Sequence, residues 1–131
     1  MKKDITNRSD IELLINRFYE QVKTNDQIGH FFTTDRKVNW EHHLPIMYNF
    51  WENILFYTGQ YNGNPMAVHK QLHQEFPLSR EDFAEWLQLF KKTADELFEG
   101  DNTELIKQRA QSIALVMELK IVHGNNTSSI T

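Results

Sequence analysis

The chain contains no cysteine, so disulfide frameworks, thiolate metal sites and cysteine nucleophiles are all excluded. That absence agrees with a reducing compartment. Basic residues are in the minority, 14 against 18 acidic ones for a net charge of −4, and they form no run. Nucleic acids and anionic membranes usually require a basic face, so neither is an expected partner. No stretch approaches the ~20 apolar residues that span a bilayer. The start, Met1-Lys2-Lys3-Asp4, is charged and leads into no apolar run, which argues against a signal peptide. The expected location is therefore cytoplasmic.

Aromatic residues, by contrast, are plentiful. They make up 12% of 131 residues and nine are Phe, enough to line a cavity as well as fill a core. The length fits one domain. The apolar periodicity is helical nearly throughout. Ile11, Leu14, Ile15, Phe18 and Val22 share one face at spacings of three and four. Ser9 with Glu12 reads as a capping box for that helix, which ends near Thr24. Trp40, Leu44, Met47, Tyr48, Trp51, Ile54 and Leu55 make the next stripe, ended by Gly59 and Asn62-Gly63-Asn64-Pro65. A short helix can start at Pro65 and run to about Leu72. Ser79, with Asp82 in the box position, caps a third long helix with the stripe Phe83, Trp86, Leu87, Phe90, Ala94 and Leu97. Asn102 or Thr103 caps the last, which carries Ile106, Ala110, Ile113, Met117 and Ile121 up to Gly124. The expected fold is all-α: one domain over residues 1–131, with residues 1–8 as an N-terminal extension and 125–131 as a disordered tail.

Six histidines are present, at positions 30, 42, 43, 69, 73 and 123. Taken singly, each reads as a surface or hydrogen-bonded side chain before it reads as a ligand. His69 and His73 stand at i and i+4 and can share a helix face, as zinc ligands do, but no third ligand follows at a telling spacing. Tyr19 lies at the edge of its stripe and Trp86 at the centre of its own. Alone, each is a core aromatic. Together, one imidazole able to bind metal, a phenol, a second imidazole and an indole on separate helices are what a haem pocket needs.

The order of motifs strengthens that reading. Phe18-Tyr19 is followed by Trp40-Glu41-His42-His43, then Asn49-Phe50-Trp51, then Tyr61-Asn62-Gly63-Asn64-Pro65 leading to His69. Phe83-Ala84-Glu85-Trp86-Leu87 and Gln108-Arg109-Ala110 complete the series. In this order and spacing the chain resembles the truncated haemoglobins, within them the third group, from about Asn7 to His123. The first two groups use paired glycines at helix boundaries, and this chain has none.

The resemblance implies a two-over-two helical sandwich around haem b. It makes His69 the proximal iron ligand and places Tyr19, His43 and Trp86 on the distal side. Phe31, Phe32, Phe50, Trp51, Ile54 and Leu72, with Trp86, become cofactor-contacting walls. Lys70, His73 and Arg80 are candidates for the haem carboxylates by proximity. Pro45 complicates the direction of His43, because proline inside a helix removes a backbone bond. Either the helix begins near His43 or it bends at Pro45, and His42 is the alternative to His43. His43 is preferred because it lies three residues after Trp40, as the family spacing has it.

Haem is a large apolar plate with two carboxylates, so its site must be a deep apolar slot with polar groups at the rim and near the metal. Dioxygen held there draws negative charge onto its oxygens, which a Tyr hydroxyl and a Trp N–H can meet. Two or three such donors hold oxygen too long to deliver it. The expected function is therefore ligand or redox chemistry on dioxygen, nitric oxide or peroxide rather than bulk transport. No catalytic residue is assigned. The partners are a small gas (dioxygen, nitric oxide or carbon monoxide) and, for redox turnover, a reductase. The competing readings are a haem-free helical interaction module and a small zinc site at His69 and His73.

Overall fold

A computed structural model describes residues 2–29, 40–56 and 79–119, with the side chains of Trp40 and His42 outside that set. Among the described residues there are four helices and no strand: α1 (Arg8–Lys23), α2 (Trp40–Phe56), α3 (Arg80–Leu97) and α4 (Asp101–Met117). The short helix expected from Pro65, the stop at Gly124 and the expected tail lie outside the described residues.

Helix α1 buries Ile11, Leu14, Ile15, Phe18 and Val22, the whole of the stripe read from its periodicity, and Tyr19 beside them. Each fully buried side chain of this size contributes about 1.5–3 kcal/mol. The start of α1 differs from expectation. Asn7 is the N-cap and its side-chain oxygen accepts from the Asp10 N–H at 3.0 Å, while Ser9 sits inside the first turn. Asn and Ser are comparable caps, and the residue whose backbone is extended wins. At the other end the Thr24 hydroxyl donates to Gln21 O at 3.2 Å.

Helix α3 opens as expected. The Ser79 hydroxyl accepts from the Asp82 N–H at 3.2 Å, and the Asp82 carboxylate accepts from the Ser79 N–H at 2.9 Å. Helix α4 does not follow its expectation: Asn102 and Thr103 lie in its first turn rather than capping it. The cap arrives from the other end of the chain. The Asp4 carboxylate accepts from the backbone N–H groups of Asn102 and Thr103, both at 2.9 Å, and from the Thr103 hydroxyl at 2.8 Å. The residues read as an extension thus close the α3–α4 turn, with Ile5 fully buried and the Glu99 N–H donating to Lys3 O at 3.0 Å.

Gly100 is required at this junction. Its φ of +147° is open to glycine alone, and a Cβ there would lie 2.4 Å from Asp4 Cγ.

The helices stack as two layers. α1 packs on α2 and α3 on α4, and across the layers α1 lies on α3 and α2 on α4. Polar ties mark the α1–α3 seam: the buried Thr93 hydroxyl donates to Gln21 Oε1 at 3.3 Å, and just past α1 the Asn25 amide donates to Glu85 at 2.7 Å. Pro45 sits within α2, which begins before His43, at Trp40. The Glu41 carbonyl therefore loses the N–H that residue 45 would have supplied.

Candidate functional site

Three helices deliver rings to one place. From α1 come Phe18 and Tyr19, adjacent in sequence, with centroids 5.1 Å apart. From α2 comes His43, whose ring stands at 75° to that of Tyr19 with centroids 5.5 Å apart. From α3 come Trp86 and Phe90, one turn apart and stacked at 5.7 Å. Phe18 meets both edge-on, Trp86 at 5.7 Å and Phe90 at 5.2 Å. Trp51 of α2 stacks on Phe90 at 4.7 Å, and Phe50 packs edge-on to Trp51 at 5.1 Å. Such pairs contribute about 0.5–1.5 kcal/mol beyond the area they bury.

Of the residues expected at the site, Tyr19 and His43 are thus in direct ring contact, and Trp86 joins them through Phe18. Phe50, Trp51 and Ile54 belong to the same apolar body. His69, Phe31, Phe32 and Leu72 lie outside the described residues, as do Lys70, His73 and the side chain of His42. Arg80 is described, and its Nε pairs with Glu118 at 3.0 Å. That pair sits on a groove of about 220 Å³ between α3 and α4, whose lining includes none of Tyr19, His43 or Trp86. Among the described residues no cluster of three or more His, Asp or Glu is placed to hold a metal ion.

Phe90 was visible in sequence only as a stripe residue. It is the ring on which Phe18, Trp51 and Trp86 converge, and it is fully buried. Its place four residues after Trp86 was the available signal, since i and i+4 share a helix face.

Burial sets the chemistry of the phenol. Tyr19 is 7% exposed, and desolvation pushes its hydroxyl well above the ordinary tyrosine range, so it keeps its proton and remains a donor at neutral pH. Its neighbour, His43 Nε2, is also shielded from solvent. Helix α2 adds a second feature. Leu44, Met47, Phe50 and Ile54 pack against the core but stay only half-buried, so α2 presents apolar surface beyond what the core uses.

Two layers of paired helices, with a phenol, an imidazole and an indole gathered in one aromatic cluster, define a globin-like sandwich. The bacterial-like globin family model matches residues 3–119. A group 3 truncated hemoglobin from Campylobacter jejuni is 34% identical over 119 residues, covering 87% of this chain and 90% of that relative. The crystal structure of a group III truncated hemoglobin from Campylobacter jejuni matches with a TM-score of 0.81 and 31% identity, over 92% of this chain and 95% of that one. The chain belongs to the bacterial-like globin family, among its group III truncated haemoglobins.

The family implies haem, and the described aromatic cluster is chemically suited to it. A flat apolar plate suits the stacked rings and the half-buried face of α2. The Tyr19 phenol is buried among these rings, and the Trp86 indole is half-buried beside them. No helix among the described residues is long and apolar enough to cross a membrane.

Proposed function

We propose that this chain binds haem b and uses a polar distal pocket, built by Tyr19, His43 and Trp86, to retain a small gaseous ligand for chemistry rather than delivery. The observation that supports this most directly is the buried, protonated Tyr19 phenol set against the His43 ring. When bound, haem supplies the metal position for the ligand and a store of one electron. The chain supplies the rest. His69 is proposed to hold the group from below, while Phe50, Trp51 and Ile54, with Phe31, Phe32 and Leu72, wall it in.

Tyr19 donates its hydroxyl hydrogen toward a ligand oxygen, and burial keeps that donor undisturbed by solvent. The Trp86 indole N–H is donor-only and adds a second contact of the same sign. His43 orients Tyr19 and stands within reach as a third polar group. A hydrogen bond to a charged partner contributes about 1.5–3 kcal/mol, and ligand retention changes mostly through the off-rate. A pocket of this kind holds oxygen too firmly for bulk transport. It suits conversion of dioxygen, nitric oxide or peroxide, with electrons from a reductase in the cytoplasm.

The test is an absorption spectrum of the purified protein in ferric, ferrous and carbon-monoxide-treated states, with metal analysis. The expected result is an intense violet band, iron in place of zinc, and a carbon-monoxide shift. Colourless protein that gains no thermal stability from added haem would overturn the reading, because a ligand bound only by the folded state must stabilise it.

A further inference from the structure

A polar seam runs along α1 and α2, and its rungs beyond Tyr19 and His43 are used by none of the chemistry above. Arg8, Glu12, Asn16 and Tyr19 follow one another at spacings of four, four and three, so they share one face of α1. Each of three points on that face reaches α2. At the start of α1, Arg8 Nη1 donates to Asn49 Oδ1 at 2.6 Å and to Glu52 Oε1 at 2.8 Å, while its Nε donates to Glu12 Oε2 at 3.0 Å. Its guanidinium also lies over the Tyr48 ring, 5.6 Å from the centroid. In the middle, the Tyr48 hydroxyl donates to Asn16 Oδ1. At the far end, Tyr19 meets His43. The two helices run antiparallel, so these are successive rungs of one ladder.

We infer that Arg8, Asn16 and Tyr48 are positioning residues, which set the rotation and slide of α1 on α2 and thereby hold Tyr19 at its working distance from His43. The inference rests on the haem-pocket reading.

Two physical facts support it. Ridge-into-groove packing selects the crossing angle of two helices and is not direction-specific at any one side chain, whereas a hydrogen bond is. A planar guanidinium held by Nε on Glu12 of its own helix and by Nη1 on two acceptors of α2 fixes both direction and depth. A helix rises 1.5 Å per residue, so Arg8 lies roughly 16 Å along α1 from Tyr19, and a stiff helix carries an error at one end to the other. The need is greatest where α2 is weakest. Pro45 leaves the Glu41 carbonyl without its backbone donor, two residues from His43, so the start of α2 depends more on its contacts with α1. The network is only partly buried, with Arg8 and Glu52 side chains still 34% and 16% exposed, and ion pairs in reach of solvent add little stability singly, which points to geometry as what it chiefly provides.

The experiment uses the haem-loaded protein. Tyr48→Phe removes the hydroxyl and keeps the ring under Arg8. Arg8→Gln removes the guanidinium, and Arg8→Lys restores the charge alone. Arg17→Gln is the control, since Arg17 pairs with Glu20 at 3.5 Å on the same helix and reaches nothing on α2 through it. The readouts are the C–O stretching band of the carbon-monoxide form, the oxygen release rate and the thermal midpoint. Tyr48→Phe and Arg8→Gln are expected to move or split the band and to speed release about threefold to tenfold, a partial loss of one hydrogen bond. Arg8→Lys recovers part of that change, and Arg17→Gln leaves band and release as in the parent.

In a Tyr19→Phe background, Tyr48→Phe should add nothing to release, because both act through the same hydroxyl. Additive effects, or a shift of the thermal midpoint with band and release unmoved, would overturn the positioning role. Failure of the underlying reading has a different signature: Tyr19→Phe alone would leave band and release unchanged, or haem would not enter the protein.

Discussion

The Tyr19 and His43 rings stand at 75° to each other with centroids 5.5 Å apart, one from the end of α1 and the other from the start of α2. This arrangement makes the phenol directional. Tyr19→Phe keeps the ring, its contact with Phe18 and the shape of the pocket, and removes only the donor. The expected result is oxygen release faster by roughly tenfold to a hundredfold, the equivalent of one hydrogen bond to a charged partner. Stopped-flow displacement measures it. Because burial raises the Tyr19 hydroxyl above its ordinary range, the parent's advantage over Tyr19→Phe should stay flat from neutral pH through about pH 10, the unperturbed tyrosine value. A drop in that advantage near pH 8 would show that the donor is another group.

His69→Ala tests the other side of the plate. If His69 supplies the nitrogen donor, the variant takes up haem poorly or shows the spectrum of a lost axial bond, and imidazole added to the solution restores part of the parent spectrum. The helices themselves should persist, since α1, α2, α3 and α4 bury a large shared apolar cluster that includes Phe18, Trp51, Phe90 and Ile106. Retention of the parent spectrum in His69→Ala would move the ligand role to another histidine.

The helices were readable because their apolar spacing is regular. The stripe of α1 is buried in full, and Phe83, Phe90 and Ala94 of α3 are buried as their periodicity required. The two errors at helix starts have different physical causes. Asn7 and Ser9 are both good caps two positions apart, and only the backbone angles choose between them. The cap of α4 is Asp4, some hundred residues upstream, and no local pattern encodes a contact of that span. Tyr19 and His43 were found through motif order, not through any signal that their rings touch. The Arg8–Glu52 pair and the Asn16–Tyr48 bond escaped because they join residues whose only link is the way α1 crosses α2.

Asp4 offers a stability test with a defined pH dependence. Desolvation raises its carboxyl, but hydrogen bonds from the Asn102 N–H, the Thr103 hydroxyl and the Ile5 and Thr103 N–H groups outweigh that and hold it below the usual carboxylate range. A group depressed on folding contributes stability above its unfolded value of ~3.9 and loses it as pH falls through the folded value. Asp4→Asn should therefore cost about 1–2 kcal/mol at pH 7, the scale of a lost helix cap. The gap to the parent should narrow as pH falls below ~4. Gly100→Ala should destabilise by a further mechanism, since it combines a φ of +147° with a collision against Asp4. Urea unfolding at pH 7 and pH 3 measures both. A gap for Asp4→Asn that is constant with pH would mean the carboxylate charge plays no part in the cap.

Phe90 ties the fold to the pocket, so its variants should affect both. It is fully buried between Phe18, Trp51 and Trp86, which come from three helices in two layers. Phe90→Ala removes the ring and leaves a cavity, at an expected cost of about 3–5 kcal/mol, whereas Phe90→Leu refills much of the volume and should cost less. The more telling measurement is haem loss. Without the ring under them, Trp51 and Trp86 are free to tilt, and Trp86 then no longer presents its N–H in one direction. Phe90→Leu should therefore lose haem faster and release oxygen faster even where its unfolding curve stays near that of the parent. If Phe90→Leu changed unfolding but neither haem loss nor release, the aromatic layer would be scaffolding alone, and the direction of Trp86 would have to come from its own helix.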